Sequence, residues 1–207
     1  KTVYKLTPES LAEQMNVFVK EFGVNIVGGC CGTTPEHIRC LVETIGDQKP
    51  RKREVEPGVF ISGPQKAVSL DSSAALIRIG ERLNVRGSKK VREAVEVAKS
   101  IDHDALEEVV SEQVRDLGLE IIDVCMDSNL VETGATLVEV IKSQTLDFPA
   151  AMSIDSFDVE ALGKAMEVYP GRAIVNSISL EEVEPGLDKI DAVLEKTLHH
   201  APVYIVL

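Results

Sequence analysis

Apolar side chains follow two rhythms along the chain. After Pro8-Glu9-Ser10 they recur on one helical face to about Glu21, through Leu11, Met15, Phe18 and Val19. Gly23 ends that helix, and Val24-Asn25-Ile26-Val27 reads as a short strand. A glycine-rich loop follows, Gly28-Gly29-Cys30-Cys31-Gly32-Thr33-Thr34-Pro35, with Thr34 placed to cap and Pro35 to open a helix running to about Ile45. Helix, strand, loop and helix in this order predict the closing turn of an α/β domain.

From Gly46 to Ser73 the periodicity fails. Lys49-Pro50-Arg51-Lys52-Arg53, Pro57-Gly58 and Ser62-Gly63-Pro64 punctuate a linker with one short extended piece at Val59-Phe60-Ile61. Beyond it the pattern is regular. Strands are expected at Leu76–Gly80, Ile121–Val124, Ala151–Ile154, Ala173–Asn176 and Val203–Leu207. Helices are expected at Asp104–Leu117, Thr133–Ile141, Val159–Tyr169 and Gly186–Leu198. Such alternation predicts βαβ units and a parallel sheet. Five strands and four crossovers amount to the first half of an eight-stranded (β/α)8 TIM barrel. The expected division is 1–46 for the end of one domain, 47–75 for a linker and 76–207 for the half barrel.

Composition narrows the function classes. The net charge of −12, from 34 acidic against 22 basic residues, argues against a non-specific grip on nucleic acid or anionic membranes. Aromatics at 4% leave no stacking platform for single strands. No apolar run is long enough to span a bilayer, and the four cysteines form no disulfide framework. A reducing, cytoplasmic home is the expectation. The chain opens at Lys1 without an initiator methionine and stops on the apolar run Val203-Tyr204-Ile205-Val206-Leu207, so it reads as a piece of a longer protein.

Two groups of residues can carry chemistry. Cys30 and Cys31 sit on a glycine-flexed loop where two thiolates can turn toward one soft metal such as zinc; the alternative is a pair of buried structural cysteines. Two ligands fall short of a catalytic zinc site, which uses about three protein donors and keeps one position open. Cys40 is poorly placed as a third ligand, and Cys125 lies in the other domain.

The second group follows the strands: Gly80-Glu81-Arg82-Leu83-Asn84, Asp123-Val124-Cys125-Met126-Asp127, Asp155-Ser156 and Asn176-Ser177-Ile178-Ser179. In a barrel these strand ends converge on the face that carries active sites. Each Asp or Asn could instead cap the following helix. Recurrence at four strand ends favours a shared site.

Val24 to Ile38, with its Gly-Gly-Cys-Cys-Gly core, resembles the last strand and loop of the homocysteine S-methyltransferase domain. Gly80 to Ser179, with Gly-Glu-Arg-x-Asn and Asn-Ser-Ile-Ser, resembles the pterin-binding domain of methyltransferases and dihydropteroate synthases. Their order on one chain resembles the cobalamin-dependent methionine synthase family. The resemblance implies a C-terminal βα piece of a homocysteine-domain (β/α)8 barrel, a linker, and half of a pterin-binding barrel. It implies methyl transfer from 5-methyltetrahydrofolate through cobalamin, on another module of the same polypeptide, to zinc-bound homocysteine.

Carried over residue by residue, Cys30 and Cys31 match zinc ligands whose third member lies on an earlier strand absent here. Asp155 and Asn176 match residues that hydrogen-bond the pterin; Glu81, Asn84 and Asp123 match the polar shell around them. No residue is assigned as catalytic. Relatives usually carry asparagine where this chain has Cys125, a weaker hydrogen-bonding group. The rivals are another pterin-dependent enzyme, a corrinoid-protein methyltransferase or a dihydropteroate synthase, and an inter-domain scaffold without activity of its own. His199-His200, Lys89-Lys90 and the Arg51-Lys52-Arg53 run read as solvated polar surface.

Overall fold

The computed structural model describes residues 5–50, 52, 57–71 and 76–207, in two compact units, Lys1–Pro57 and Gly58–Leu207. In the first unit, helix α1 (Pro8–Phe22) starts where the Thr7 side chain accepts the Ser10 amide and stops at Gly23, whose φ of 66° is a left-handed turn open to glycine. Helix α2 (Pro35–Ile45) packs on α1 and has the predicted bounds. His37 bridges the two ends: its Nδ1 accepts from the Thr34 amide at 3.2 Å and its Nε2 donates to the Leu6 carbonyl at 3.0 Å. The strand expected at Val24–Val27 does not form. No strand among the described residues of this unit offers it a ladder, and Ile26 is 90% exposed.

The second unit starts inside the stretch read as linker. Strands β1 (Phe60–Ser62) and β2 (Ala67–Ser69) pair antiparallel, so part of that stretch is a folded hairpin. Five parallel strands follow in sequential order: β3 (Ile79–Asn84), β4 (Ile121–Cys125), β5 (Ala151–Asp155), β6 (Ile174–Ile178) and β9 (Val203–Val206). The connections are α3 (Lys89–Arg92) with α4 (His103–Ser111), then α5 (Thr133–Asp147), α6 (Val159–Val168) and α7 (Lys189–Thr197). Both α3 and α4 run on into single π turns, Glu93–Val97 and Glu112–Asp116. No helix among the described residues is long and apolar enough to cross a membrane.

Two boundaries differ from the sequence reading. The first strand lies later than Leu76–Gly80, because Glu81 and Arg82 together oppose Asp123 in a bulge and the ladder resumes at Leu83 and Asn84. The buried Gln113 side chain accepts the Arg82 amide at 2.9 Å, and it approaches so closely that a Cβ on Gly80 would stand 2.5 Å from its Oε1. The last helix begins at Lys189 rather than Gly186, since Glu182–Glu184 (β7) and Leu187–Asp188 (β8) form a small hairpin turning at Gly186 with φ 79°.

Alternation decides which face each strand residue serves. Ile122, Val124, Met152, Ile154 and Val175 point to the helices and join their side chains in the main core. Ile121, Ala151 and Ile174 point the other way and are covered by Ile61 and Val68 of the β1–β2 hairpin. Polar bonds fasten that cover. Tyr169 donates its hydroxyl to the Ser62 carbonyl at 2.8 Å, and the Arg172 guanidinium donates to the Phe60 carbonyl at 2.9 Å.

Candidate functional site

Two residues up from the apolar layer, the same sheet face turns polar. Asp123 pairs in register with Ser153, and one pleat further Asn84, Cys125, Asp155, Asn176 and Ile205 lie in one row across the five strands. The bulge sets Glu81 beside them, close enough for its charge to act on both Asp123 and Asp155. The structure thus brings Glu81, Asp123, Asp155 and Asn176 together at the C-terminal ends of neighbouring parallel strands.

Capping does not account for most of them. Helix α6 is capped by Asp158, whose carboxylate accepts from Glu160 and Ala161, so Asp155 is not used for that purpose. Asn176 donates its Nδ2 to Asp123 Oδ1 at 3.3 Å. Asn84 is the exception: its Oδ1 accepts the amides of Arg86 and Gly87, both at 2.9 Å, and folds the turn after β3.

Burial governs the electrostatics. It pushes the Asp123 carboxyl up to about 6; the charges of Asp155 and Glu81 push the same way, and the hydrogen bond from Asn176 and the neighbouring Ser153 hydroxyl push back. Asp155 is raised for the same first reason, with Asp127 and Glu81 adding to it and Cys125 and Lys189 opposing. The Cys125 thiol, buried and beside acidic groups, goes up to about 12 and stays protonated, as a packing residue would.

Two contributors, Ser153 and Lys189, escaped the sequence reading, and a third, Asp127, was noted there only as the end of a strand motif, without a role. Asp127, buried, accepts from the Ser156 hydroxyl at 2.6 Å and the Phe157 amide at 2.7 Å, fixing the loop after β5. Ser153 lies fully buried beside Asp123, its register partner on β5. Lys189, nearly fully buried, is the cation closest in influence to Asp155. The strand-end motif already contained Asp127; a lysine at a helix start gave no signal for Lys189.

In the first unit both Cys30 and Cys31 are exposed and free, which excludes the buried-cysteine alternative. Their sulfurs stand 3.8 Å apart, the spacing of two thiolates about 2.3 Å from one tetrahedral metal. The Cys30 amide donates to Thr33 Oγ1 at 2.8 Å, and Gly29 is needed because a Cβ there would lie 2.3 Å from the same side chain. Among the described residues no cluster of three or more His, Cys, Asp or Glu side chains forms a metal site. The donor pair fits a soft metal and leaves the set incomplete.

Residues 80–201 match the family model described as pterin binding enzyme, more than half of the chain. The chain belongs to that family. Its acidic strand-end row therefore sits where the family match lies. Residues 1–45 match a second family model, homocysteine S-methyltransferase. Among curated proteins, the methionine synthase of Mycobacterium tuberculosis is 33% identical over 183 residues, which is 86% of this chain and 15% of that protein. The methionine synthase of Mycobacterium leprae is 29% identical over 213 residues, 99% of this chain and 17% of that protein. The chain thus spans about a sixth of the length of these relatives.

Proposed function

We propose that this chain is a segment of a cobalamin-dependent methionine synthase, joining the end of the homocysteine domain (1–46) to the first half of a pterin-binding (β/α)8 barrel. The observation that supports this most is the row of Asp155 and Asn176 beside Asp123 and Glu81, in a chain that matches the two families in that order. A pterin presents an N–H and an amino group along one edge. Carboxylate oxygens accept from both, and charge-assisted bonds of this kind are about twice as strong as neutral ones. Asp155 is the acceptor for that edge, and Asn176, its amide oriented by the bond to Asp123, is the second contact. Glu81 and Asp123 complete the polar wall, and Asn84 shapes its rim.

The small-molecule substrates are then 5-methyltetrahydrofolate and homocysteine, handled in the cytoplasm. Cys30 and Cys31 would hold zinc from one side. Zinc, when bound, favours the thiolate form of a substrate thiol and so makes it a nucleophile. Cobalamin, when bound to a further module of the polypeptide, supplies the methyl carrier between the two substrates. With two thiolates the chain alone is expected to lose zinc to a chelator; stoichiometric, chelator-resistant zinc would reveal a third donor.

The test is a titration of the full-length protein with methyltetrahydrofolate and with a pteroate precursor, in the wild type and in Asp155→Ala. Methyltetrahydrofolate should bind in preference, and Asp155→Ala should weaken it by about 10- to 100-fold. Preference for the precursor would make the chain a synthase instead.

A further inference from the structure

The loops after β5 and β6 enclose a cleft of about 360 Å³, whose lining includes Phe157, Ser177, Ser179, Glu181 and Lys189. Phe157 follows Asp155 by two residues, and Ser177 follows Asn176 directly, so the cleft begins where the acidic row ends. Lys189 is its unexpected member. As the first residue of α7 it carries a positive charge where the helix dipole disfavours one, and yet it is only 5% exposed. Hiding a lysine is costly unless an opposite charge offsets the lost hydration. Among the described residues its Nζ has no hydrogen bond and no ion pair; the contact it makes is with the Phe157 ring, whose centre is 5.3 Å away.

The neighbouring groups also leave donors free. Ser177 is nearly as buried as Lys189, and its hydroxyl has no partner among the described residues. The Ser179 hydroxyl oxygen accepts the Glu181 amide at 3.4 Å, which leaves its proton free to donate. The first two amides of α7 are already bonded, to the Glu181 carbonyl at 2.8 Å and the Ser179 carbonyl at 3.0 Å. The free donors of the cleft are therefore side chains and not the helix end. Phe157 forms an apolar wall. It is 68% exposed, but its loop is held by the bonds of its own amide and of the Ser156 hydroxyl to the buried Asp127. Arg86 comes within 5.9 Å of the centre of the same ring, with its Nε taken by the Asp127 carbonyl. Glu181, the acidic side chain of the lining, belongs to an exposed segment where water screens its charge. A buried ammonium, two hydroxyl donors and an apolar wall together make a receptor for a carboxylate on an apolar stem.

A folate continues from its pterin ring through an aryl amide to glutamate. A ligand held by its pterin edge at Asp155 and Asn176 thus brings a second ring and carboxylates beyond that edge. Resting on the pterin reading above, we propose that the cleft after β5 and β6 is the subsite for this acidic tail: Lys189 receives a tail carboxylate, Ser177 and Ser179 donate to it, and Phe157 covers the aryl ring. The bound carboxylate is the direct partner that the buried ammonium lacks. Recognition is then divided into two separable parts, the pterin edge and the tail.

The experiment titrates the full-length protein with three ligands: 5-methyltetrahydrofolate, 5-methyltetrahydropterin without a tail, and p-aminobenzoylglutamate, the tail alone. Lys189→Met should weaken the folate and the tail fragment by about 10-fold and leave the tail-less pterin unchanged, and Lys189→Arg should restore most of the loss. Unchanged binding of the tail-less pterin also shows that the variant is folded. Phe157→Ala alters the same cleft at an exposed position, and should weaken the same two ligands by about 3-fold. Unchanged tail binding in Lys189→Met or Phe157→Ala, or an equal loss for the tail-less pterin, overturns the proposal. So does inorganic phosphate that displaces the tail fragment more strongly than glutamate does, which marks a phosphate site. Asp155→Ala separates the two ideas, since it should weaken the folate and the tail-less pterin and spare the tail fragment. If it weakens neither pterin ligand while Lys189→Met still weakens the tail fragment, the cleft assignment stands and the pterin reading falls. The opposite pattern sinks the cleft assignment alone.

Discussion

The two ends of one sheet face are made by the same strands and do opposite things. At the lower end Ile121, Ala151 and Ile174 are sealed under Ile61 and Val68. Two residues further along, the same face carries Asp123, Ser153 and Asn176, and four residues along it carries Cys125 and Asp155. Alternation keeps all of these side chains on one side, so the change is purely chemical: apolar where the hairpin closes the sheet, acidic where a ligand can approach. Apolar packing is concentrated at one end and the candidate site at the other. Substitutions should divide along that line.

The largest effect is expected at the sealed end. Ile61→Ala removes a fully buried side chain and should lower unfolding free energy by about 2–5 kcal/mol in urea titration. The folded fraction should keep its pterin affinity; a matching loss of affinity would show that the ends are coupled. At the acidic end Asp123→Asn should do the reverse. The folded carboxyl titrates near 6 against 3.8 in the unfolded chain, so between these values the folded state binds more protons. Stability therefore falls as pH rises through that window, and the deficit persists above it. At 1.36 kcal/mol per unit, Asn should gain up to about 3 kcal/mol near pH 8 and clearly less near pH 4.5, checked by denaturation at both. Pterin affinity should drop meanwhile. The smallest effect belongs to the exposed Lys66–Glu120 pair, where Lys66→Ala should cost under about 1 kcal/mol and leave binding untouched.

How much of this was legible in the sequence depends on what surrounds each residue. The strands β4, β5 and β6 were visible because apolar residues fill both faces at their lower ends, and Asp123, Asp155 and Asn176 were visible because each interrupts such a run. The first strand was displaced by the sequence reading because Gly80-Glu81-Arg82 looks like a loop; only the pairing with Ile122 and Val124 across the bulge shows it to be strand. The hairpin was hidden by its own Gly63 and Pro64, which punctuate a turn as readily as a linker. Val24–Val27 failed in the opposite sense: an apolar run supplies strand propensity, but the ladder depends on a neighbour. Asn84 came out as a turn-former because its oxygen finds two amides within its own turn. Lys189 was beyond reach, since its burial is created by Phe157 and the β6 loop, neither of which its local sequence reveals.

The β1–β2 hairpin also sets an order of events during synthesis. Ser62 accepts the Arg172 amide on its hydroxyl at 2.9 Å across 110 residues of chain. The hairpin leaves the ribosome before every strand of the parallel sheet, and its bond to Arg172 can close only about 5–20 s later at ordinary elongation rates. Ile61 and Val68 therefore gain their cover stepwise, from Ile121, then Ala151, then Ile174, and the hairpin's last polar fastening arrives with the segment before β6.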